Sequence, residues 1–314
     1  MTPKNTILVG DARKVLADLP PRSFDAVLTS PPYFRLRDYE VTGQLGQEPT
    51  ITEWVESLRG VCRQLARVLT LDSSLWLNVN DTFSHSARSG SPRKSLLLGP
   101  ERLLLALATD GWLPRGKIVW AKTNPMPESV SDRLARTWEP LYHLTRSPEA
   151  YFDLHAVRTA HQERTRVARP NRRYGGKHGG LAQGRYGHRL GKNPGDCWRL
   201  PKGGFRGQHF AVFPEALAER PICATVPERV CLTCGQPWRR RYRPSSSGAV
   251  AVPGTLYPAC NCRPLRSRVG RVLDPFCGVG TTCLVAGRLD RDYLGIELNP
   301  HFARLARERL RRSA

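Results

Sequence analysis

The chain has 314 residues, 40% of them hydrophobic, which is enough for a sizeable core and excludes a wholly disordered protein. Lys and Arg number 49 against 27 Asp and Glu, and the net charge of +22 favours a polyanionic partner such as nucleic acid. No segment approaches the ~20 apolar residues that span a bilayer, and the first residues lack the apolar stretch of a signal peptide. The composition therefore predicts a cytoplasmic protein without a membrane partner.

The first 150 residues alternate between short β-rich runs and helix-sized segments. Strands are predicted at 7–9, 25–29, 74–79, 117–120 and 141–144, and helices at 13–19, 51–69 and 101–109. In the longest of these helices, apolar residues recur at helical spacing, which indicates one buried face. Strands that alternate with helices predict a mainly parallel, doubly wound α/β sheet.

The pattern changes near residue 161. Residues 161–210 contain 12 Lys and Arg against 2 acidic residues, with paired glycines and interleaved aromatic side chains. Arginines among aromatic residues can follow phosphates, contact guanine and fill the gap left by a displaced base. We interpret this stretch as a loop-rich insertion, with a merely solvated basic loop as the alternative. The α/β pattern then resumes, with a predicted helix at 210–220, a strand at 271–275, a helix at 281–288, a strand at 293–297 and, after that strand, a terminal helix that ends at residue 312.

A glycine-rich turn near the end of the chain follows a predicted strand and opens a helix. It reads Asp274-Pro-Phe-Cys-Gly-Val-Gly-Thr-Thr282, and its two glycines allow the backbone to approach a ligand closely. The next strand ends at Glu297, where a carboxylate can accept both ribose hydroxyls of a nucleoside. A purely steric turn is the alternative. The lysine of a phosphate-binding loop is missing, so the turn favours a nucleoside with an amino-acid tail over ATP.

A second motif, Thr29-Ser-Pro-Pro-Tyr33, directly follows the strand at 25–29. Two successive prolines fix the backbone and remove two N–H donors, which makes the loop stiff. Ser30 and a carbonyl of the loop can accept hydrogen bonds from a planar amine while Tyr33 stacks on its ring. An ordinary Pro-Pro turn is the alternative, and a nucleoside site in the same sheet weighs against it.

These two motifs make the chain resemble the β-class DNA amino-methyltransferases, which depend on S-adenosylmethionine. In that class the catalytic motif comes first, the target-recognition region follows, and the cofactor motif lies near the C-terminus. The residues that match the catalytic motif are Ser30, Pro31, Pro32 and Tyr33. The residues that resemble cofactor-binding positions are Asp11, Phe210, Asp274, Phe276, Gly278, Gly280, Thr281 and Glu297.

The resemblance implies a circularly permuted Rossmann-like sheet, because the cofactor strand normally comes first. Both functional loops should then meet at the carboxyl ends of neighbouring central strands. We divide the chain into a catalytic half of the methyltransferase domain, a basic target-recognition region, a helix that returns to the methyltransferase domain, a zinc-binding insertion and a cofactor-binding half. Their respective bounds are 1–158, 159–208, 209–227, 228–268 and 269–314.

The activity implied by the resemblance is site-specific methylation of double-stranded DNA, by base flipping and direct in-line transfer to an exocyclic amine. Serine at the first motif position resembles N4-cytosine enzymes, so N4 of cytosine is the predicted target and N6 of adenine the alternative. We expect a role in a restriction–modification system with a separately encoded endonuclease. Modification of RNA or of a protein glutamine is disfavoured by the motif order. A non-catalytic, zinc-dependent DNA-binding protein is the alternative from another class.

The nine cysteines are an odd number with uneven spacing, which argues against a disulfide framework. Four of them form a CxxC and a CxC pair that suit a structural, tetrahedral zinc ion, namely Cys231, Cys234, Cys260 and Cys262. Unrelated cysteines in a reducing cytosol are the alternative. Because several arginines lie close by in the sequence, we hypothesise that this module adds DNA contacts beside the target-recognition region.

Overall fold

The computed structural model describes residues 2–160, 188, 190–204, 212–245 and 251–313. The strands in these ranges are β1 (Thr6–Val9), β2 (Phe24–Thr29), β3 (Leu69–Asn78), β4 (Leu113–Lys122), β5 (Trp138–Thr145), β6 (Cys197–Leu200), β7 (Val230–Cys231), β8 (Arg239–Pro244), β9 (Ala251–Tyr257), β10 (Ser267–Arg268), β11 (Arg271–Asp274) and β12 (Asp292–Glu297). The α-helices are α1 (Ala12–Asp18), α2 (Ile51–Val68), α3 (Gly99–Thr109), α4 (Glu215–Thr225), α5 (Thr281–Arg288) and α6 (Pro300–Arg311). Short 3₁₀ helices lie at Ala87–Ser89 and Leu154–Val157. None of the helices in the described ranges is long and apolar enough to cross a membrane.

Eight strands form one central sheet in the order β1-β12-β11-β2-β3-β5-β4-β6. The first five strands in this order are parallel to one another, whereas β5 runs antiparallel to both β3 and β4. Strand β6 then pairs in parallel with β4. The two last strands of the chain thus lie between β1 and β2, as the permuted order predicts. The α/β class predicted from the sequence is confirmed.

Helices cover both faces of the central sheet. Helices α1, α2 and α3 pack on one face, where Trp54 of α2 is fully buried. Helices α4 and α5 pack on the other face through residues such as Leu217 and Val285. Neighbouring residues of a strand point to opposite faces, so β11 places Val272 in the second core and Leu273 in the first. Both faces of β11 are therefore buried, and only its carboxyl end can present functional groups.

Helix α4 begins at Glu215 rather than at residue 210, so the predicted start of this helix was wrong. Pro214 is the N-cap residue and has extended backbone, with ψ of 148°. A proline also disfavours helical backbone at the residue before it, here Phe213. The predicted cofactor residue Phe210 lies outside the described residues.

Two inserted regions contain strands that the sequence did not predict. Within the stretch interpreted as loop-rich, β6 extends the central sheet and alternates buried Trp198 and Leu200 with exposed Cys197 and Arg199. Residues 161–187, 189 and 205–210 of that stretch lie outside the described residues. In the cysteine-rich region, β7 pairs with β10 and β8 pairs with β9, both antiparallel. Both regions therefore contribute ordered elements beyond the loops that the sequence suggested.

Candidate active site

The carboxyl ends of the neighbouring strands β2 and β11 open into one cavity of about 510 Å³. Residues Ser30–Tyr33, which follow β2, line one part of it, and Pro275–Val279, which follow β11, line another. Tyr33 and Gly278 therefore face the same space. This confirms the prediction that the proline loop and the glycine turn converge on one pocket.

Contacts from behind hold the proline loop in place. The indole N–H of Trp54 donates to the carbonyl oxygen of Pro32 at 3.0 Å. Gly46, with φ of +95°, packs so tightly that a Cβ atom there would lie 3.0 Å from the carbonyl oxygen of Tyr33. Because both contacts involve carbonyl oxygens of the loop, its backbone is anchored while the Tyr33 ring remains on the cavity side.

The Tyr33 hydroxyl lies in a polar cluster at the cavity wall. It donates to Glu139 Oε2 at 2.8 Å and lies 3.1 Å from Asn78 Oδ1. The Ser30 hydroxyl donates to it at 3.3 Å. Burial, and next the negative charge of Glu139, raise the pKa of Tyr33 well above its usual value. The phenol is therefore neutral, and its ring is oriented by its hydrogen bonds.

A buried ion pair adjoins this cluster. Lys122 Nζ lies 2.5 Å from Glu139 Oε1, and the two side chains are only 17% and 12% exposed. Lys122 is the last residue of β4, and Glu139 lies near the start of the antiparallel β5, so both reach the same edge of the sheet as Tyr33. Sequence reasoning missed Asn78, Lys122 and Glu139. Each is a polar residue near a strand end, but the reversed direction of β5 was needed to bring Glu139 to this edge.

Asp274 lies beneath the glycine turn, where it is only 2% exposed. Its carboxylate accepts hydrogen bonds from the hydroxyls of Thr29 and Thr282, both at 2.7 Å, and from the backbone N–H of Phe276 at 3.1 Å. Burial raises the pKa of Asp274 to about 6. By binding Thr29 at the end of β2 and Thr282 at the start of α5, Asp274 ties the two functional loops together.

Glu297 ends β12 and faces the glycine turn. Its Oε2 accepts from the backbone N–H of Gly278, and its Oε1 accepts from that of Asn299, both at 2.8 Å. Burial raises the pKa of this carboxyl. Gly278 has φ of +51°, a conformation that side-chain-bearing residues rarely adopt. Each carboxylate oxygen retains a lone pair, so Glu297 can accept hydrogen bonds from two vicinal hydroxyls.

The predicted site residues separate into those that line the cavity and those that do not. The cavity is lined by Asp11, Ser30, Pro31, Pro32, Tyr33, Phe276, Gly278, Thr281 and Glu297. Of the other predicted residues that the structure describes, Asp274 and Gly280 lie behind this lining. Gly280 is the N-cap of α5, with φ of +78°, and a Cβ atom there would lie 3.2 Å from Ala306.

Asp11 reaches the cavity with its carboxylate already engaged. It is the N-cap of α1, and one of its oxygens lies 2.6 Å from a guanidinium nitrogen of Arg13. The hydrogen bond from Arg13 lowers the pKa of Asp11. The side chain is therefore an anchored, ionised group at the cavity rim.

Comparison with known proteins identifies the family. The sequence profile of the N6/N4 methyltransferases, described as DNA methylases, matches residues 24–308. This chain belongs to the N6/N4 DNA methylase family. The type II methyltransferase M.SmaI of Serratia marcescens is 32% identical over 98% of this chain and 90% of its own length. M.Cfr9I of Citrobacter freundii, also a type II methyltransferase, is 32% identical over 97% of this chain and 87% of its own length.

Solved structures share the fold of this methylase. The PvuII DNA methyltransferase, described as cytosine-N4-specific, has a TM-score of 0.62 at 17% identity and covers 98% of this chain and 87% of its own. A putative DNA modification methylase of Thermus thermophilus, solved in complex with S-adenosyl-L-methionine, has a TM-score of 0.56 at 23% identity, over 98% and 95% of the two chains. The family predicted from the sequence, the S-adenosylmethionine-dependent DNA amino-methyltransferases, is confirmed.

The four predicted zinc ligands of the methylase come together. The sulfur atoms of Cys231, Cys234, Cys260 and Cys262 all lie within 4.8 Å of one another. Tetrahedral zinc with Zn–S bonds of about 2.3 Å requires sulfur atoms roughly 3.8 Å apart. Hydrogen bonds from the backbone N–H groups of Cys234 and Thr233 lower the pKa of Cys231 to about 6, which favours the thiolate that zinc requires. The cluster therefore fits a zinc ion.

The cysteine cluster adjoins the amino ends of the central strands, at the edge of the sheet away from the cavity. Arg268 of β10 donates to both carboxylate oxygens of Asp25 in β2, at 2.5 and 2.9 Å. The backbone N–H of Arg271, the first residue of β11, donates to the same carboxylate at 2.8 Å. The module thus connects directly to the two strands that support the active site.

The β8–β9 hairpin of the same module packs against the segment that contains Asp153 and His155. The hydroxyl of Tyr242 donates to Asp153 Oδ2 at 2.7 Å, and its ring centroid lies 5.5 Å from that of His155. The His155 ring in turn lies 5.4 Å from that of His188. The hairpin therefore packs beside the 3₁₀ helix Leu154–Val157, whose His155 also contacts His188.

Proposed function

We propose that this methylase transfers a methyl group from S-adenosylmethionine to the exocyclic N4 of cytosine in double-stranded DNA. The observation that carries the proposal is the placement of Ser30 and Tyr33 in the same cavity as Gly278 and Glu297. Serine at this position resembles N4-cytosine enzymes, and the PvuII enzyme, which shares the fold, is described as cytosine-N4-specific. A target amine and a methyl donor can meet only where both loops line one space.

We assign cofactor binding to the β11–β12 side of the cavity. Glu297 accepts hydrogen bonds from the ribose hydroxyls, while Phe276, Gly278 and Thr281 surround the amino-acid tail at the start of α5. Asp274 acts from behind, by holding the backbone N–H of Phe276. S-adenosylmethionine, when bound, supplies an electrophilic methyl group on a positively charged sulfur.

We assign the target base to the proline-loop side. Flipping it out of the duplex costs a few kcal/mol of stacking and pairing. Tyr33 stacks on the extruded ring, while the Ser30 hydroxyl and the Pro31 carbonyl accept the two amine hydrogens. These hydrogen bonds favour a more pyramidal nitrogen, whose lone pair then points at the methyl group. As the N–C bond forms, the sulfur would leave with the electron pair of the C–S bond, and the nitrogen would release one of its two hydrogens as a proton to solvent. Most of the rate gain comes from this positioning.

We place the enzyme in a restriction–modification system. M.SmaI and M.Cfr9I are both type II methyltransferases, and this chain matches nearly their whole length. A separately encoded endonuclease with the same recognition sequence is the expected partner. The excess of basic over acidic residues, +22 in all, suits a DNA substrate.

We also propose that Cys231, Cys234, Cys260 and Cys262 bind one structural zinc ion. Four thiolates leave no open coordination position, so the ion has no part in methyl transfer. Its effect is to join the two ends of the module, one at β7 and one just before β10. DNA contacts from the β8–β9 hairpin, whose strand β8 carries several exposed arginines, remain our hypothesis for the rest of this module.

The decisive experiment is incubation of the protein with labelled S-adenosylmethionine and varied duplex DNA, followed by mass spectrometry of the nucleosides. We expect N4-methylcytosine. N6-methyladenine would establish the alternative target. Binding of cofactor and DNA without transfer to any duplex would instead identify a non-catalytic DNA-binding protein. Sequencing of the modified DNA then provides the recognition site.

A further inference from the structure

The ion pair between Lys122 and Glu139 has no part in the transfer just described, although both residues line the cavity. Burial of two charges is costly unless they are paired and hydrogen-bonded. Here the single carboxylate of Glu139 holds the Lys122 ammonium through Oε1 and the Tyr33 hydroxyl through Oε2. The pair is therefore built into the wall against which the base is expected to stack.

The Lys122 ammonium has more donors than its partner uses. An ammonium group carries three N–H donors, and the carboxylate of Glu139 accepts at 2.5 Å. The Lys122 ammonium also lies over the Trp120 ring, with Nζ 5.3 Å from the ring centroid, so the side chain is confined on that side. The remaining N–H bonds are available to a ligand in the cavity.

The position of this ammonium relative to Ser30 determines which part of a base it can contact. The Ser30 hydroxyl lies 3.3 Å from the Tyr33 hydroxyl, which is itself bound to Glu139. An amine that binds Ser30 therefore lies near the hydroxyl end of the Tyr33 ring. The next groups along the same edge of cytosine are N3 and O2, and both are acceptors that require donors.

We propose that Lys122, held in place by Glu139, donates hydrogen bonds to N3 and O2 of the flipped cytosine and thereby selects cytosine over adenine. This inference rests on the proposed function. Adenine presents an acceptor, N1, where cytosine has N3, but a C–H group where cytosine has O2. A buried N–H of the ammonium then loses its partner, and sites built to hydrogen-bond a substrate reject analogues that leave such groups unpaired. Glu139 is a positioning residue for both Lys122 and Tyr33.

The test combines one substitution with one altered base. Methylation by the wild-type protein and by Lys122→Met is measured on a duplex that carries the mapped site with either cytosine or 3-deazacytosine, which lacks the N3 acceptor, at the target position. The altered base has the same intrinsic reactivity with both proteins, so this reactivity cancels when the rates of the two proteins on the same base are divided. Lys117→Met is the matched control, because Lys117 lies on the same strand and binds Glu101 at 2.8 Å outside the cavity.

We expect Lys122→Met to lose roughly 10- to 100-fold in kcat/KM on cytosine, the range of a hydrogen bond to a charged group, and much less on 3-deazacytosine. The preference of Lys122→Met for cytosine over adenine at the target position should also fall, because adenine lacks only the acceptor that O2 provides. Lys122→Arg, which retains a donor, should recover part of the difference between the two bases. Equal losses on both bases, with unchanged affinity for S-adenosylmethionine, would overturn the assignment of Lys122. A product other than N4-methylcytosine on the unmodified duplex would overturn the proposed function itself, so the two failures are distinguishable.

Discussion

The carboxylates on the two sides of the cavity have different hydrogen-bond partners. On the β11–β12 side, the hydrogen bonds to Asp274 and Glu297 come from hydroxyls and backbone N–H groups, and burial raises the pKa of both residues. On the proline-loop side, Glu139 instead forms an ion pair with Lys122. One side therefore presents negative charge held by neutral donors, whereas the other presents a charge-balanced pair.

This difference matches the charges of the proposed ligands. The sulfonium of S-adenosylmethionine is a cation, and nearby carboxylates held by neutral donors stabilise it through space. Cytosine is neutral and requires donors and acceptors at defined positions rather than net charge. Substitutions on the cofactor side, which attracts a cation, should mainly change cofactor affinity. Substitutions on the target side, which provides hydrogen bonds to the base, should mainly change the rate of transfer.

The largest expected effect is that of Tyr33→Ala on the target side. Loss of the stacking ring leaves the flipped base misplaced, and we expect kcat to fall by roughly 100-fold or more. Affinity for S-adenosylmethionine, measured by calorimetry, should remain close to that of the wild type. Tyr33→Phe is the matched control, since it retains the ring and should lose much less. Loss of cofactor binding in Tyr33→Ala would show that the two sides are not separable.

The complementary substitution on the cofactor side is Glu297→Gln. It removes the negative charge at the end of β12, so we expect affinity for S-adenosylmethionine to weaken by roughly 10- to 100-fold. With saturating cofactor, kcat on DNA should change little. Calorimetry and steady-state kinetics together separate the two effects. A variant with normal cofactor affinity and reduced kcat would contradict the assignment of Glu297.

The pH dependence of stability tests whether Asp274 is held by neutral donors. Its pKa rises from 3.8 to about 6 on folding, so the neutral form is more stable in the native state than in the unfolded chain, although the carboxyl is still largely ionised at neutral pH. Its contribution to the free energy of unfolding is therefore fully present below about pH 4 and is lost as the pH rises through about 6, a change on the order of 3 kcal/mol. Asp274→Asn does not titrate.

The measurement is urea unfolding of both proteins across this pH range. We expect the difference in unfolding free energy, wild type minus Asp274→Asn, to decrease as the pH rises. A constant difference would mean that folding does not shift the pKa of Asp274, and an increase with pH would mean that the pKa is lowered, as expected of a carboxylate paired with a cation.

Removal of zinc should change the difference between the cofactor side and the target side least of all. The module contacts Asp25 of β2 and the start of β11. Disorder of the module after zinc removal should therefore destabilise the strands behind both sides of the cavity to a similar extent. Chelation should lower Tm by a few degrees, at about 2 °C for each kcal/mol lost. Cofactor affinity and kcat should decline in parallel.

Cys231→Ser should reproduce the effect of chelation, whereas Cys197→Ser, at an exposed cysteine outside the cluster, is the matched control. A Tm that responds neither to chelation nor to Cys231→Ser would rule out the structural zinc ion. Unchanged affinity for DNA after chelation would remove the hypothesis of DNA contacts from this module.

Local patterns in the sequence determined much of this fold. The helix predicted at 281–288 coincides with α5, and the one predicted at 51–69 differs from α2 by one residue. Both motifs were also located correctly at the ends of strands. These features are encoded within short windows, because the periodicity of apolar residues and the conformational limits of glycine and proline act over a few neighbouring residues.

Only the tertiary structure decided which distant groups share the cavity. Tyr33 and Glu139 lie 106 residues apart, and they meet because β5 runs against its neighbours and brings its first residues to the carboxyl edge of the sheet. The structure also placed Asp274 and Gly280 behind the cavity, although their motif suggested direct contact with a ligand. Strand order and direction follow from how the whole core packs, and no short stretch of sequence specifies them.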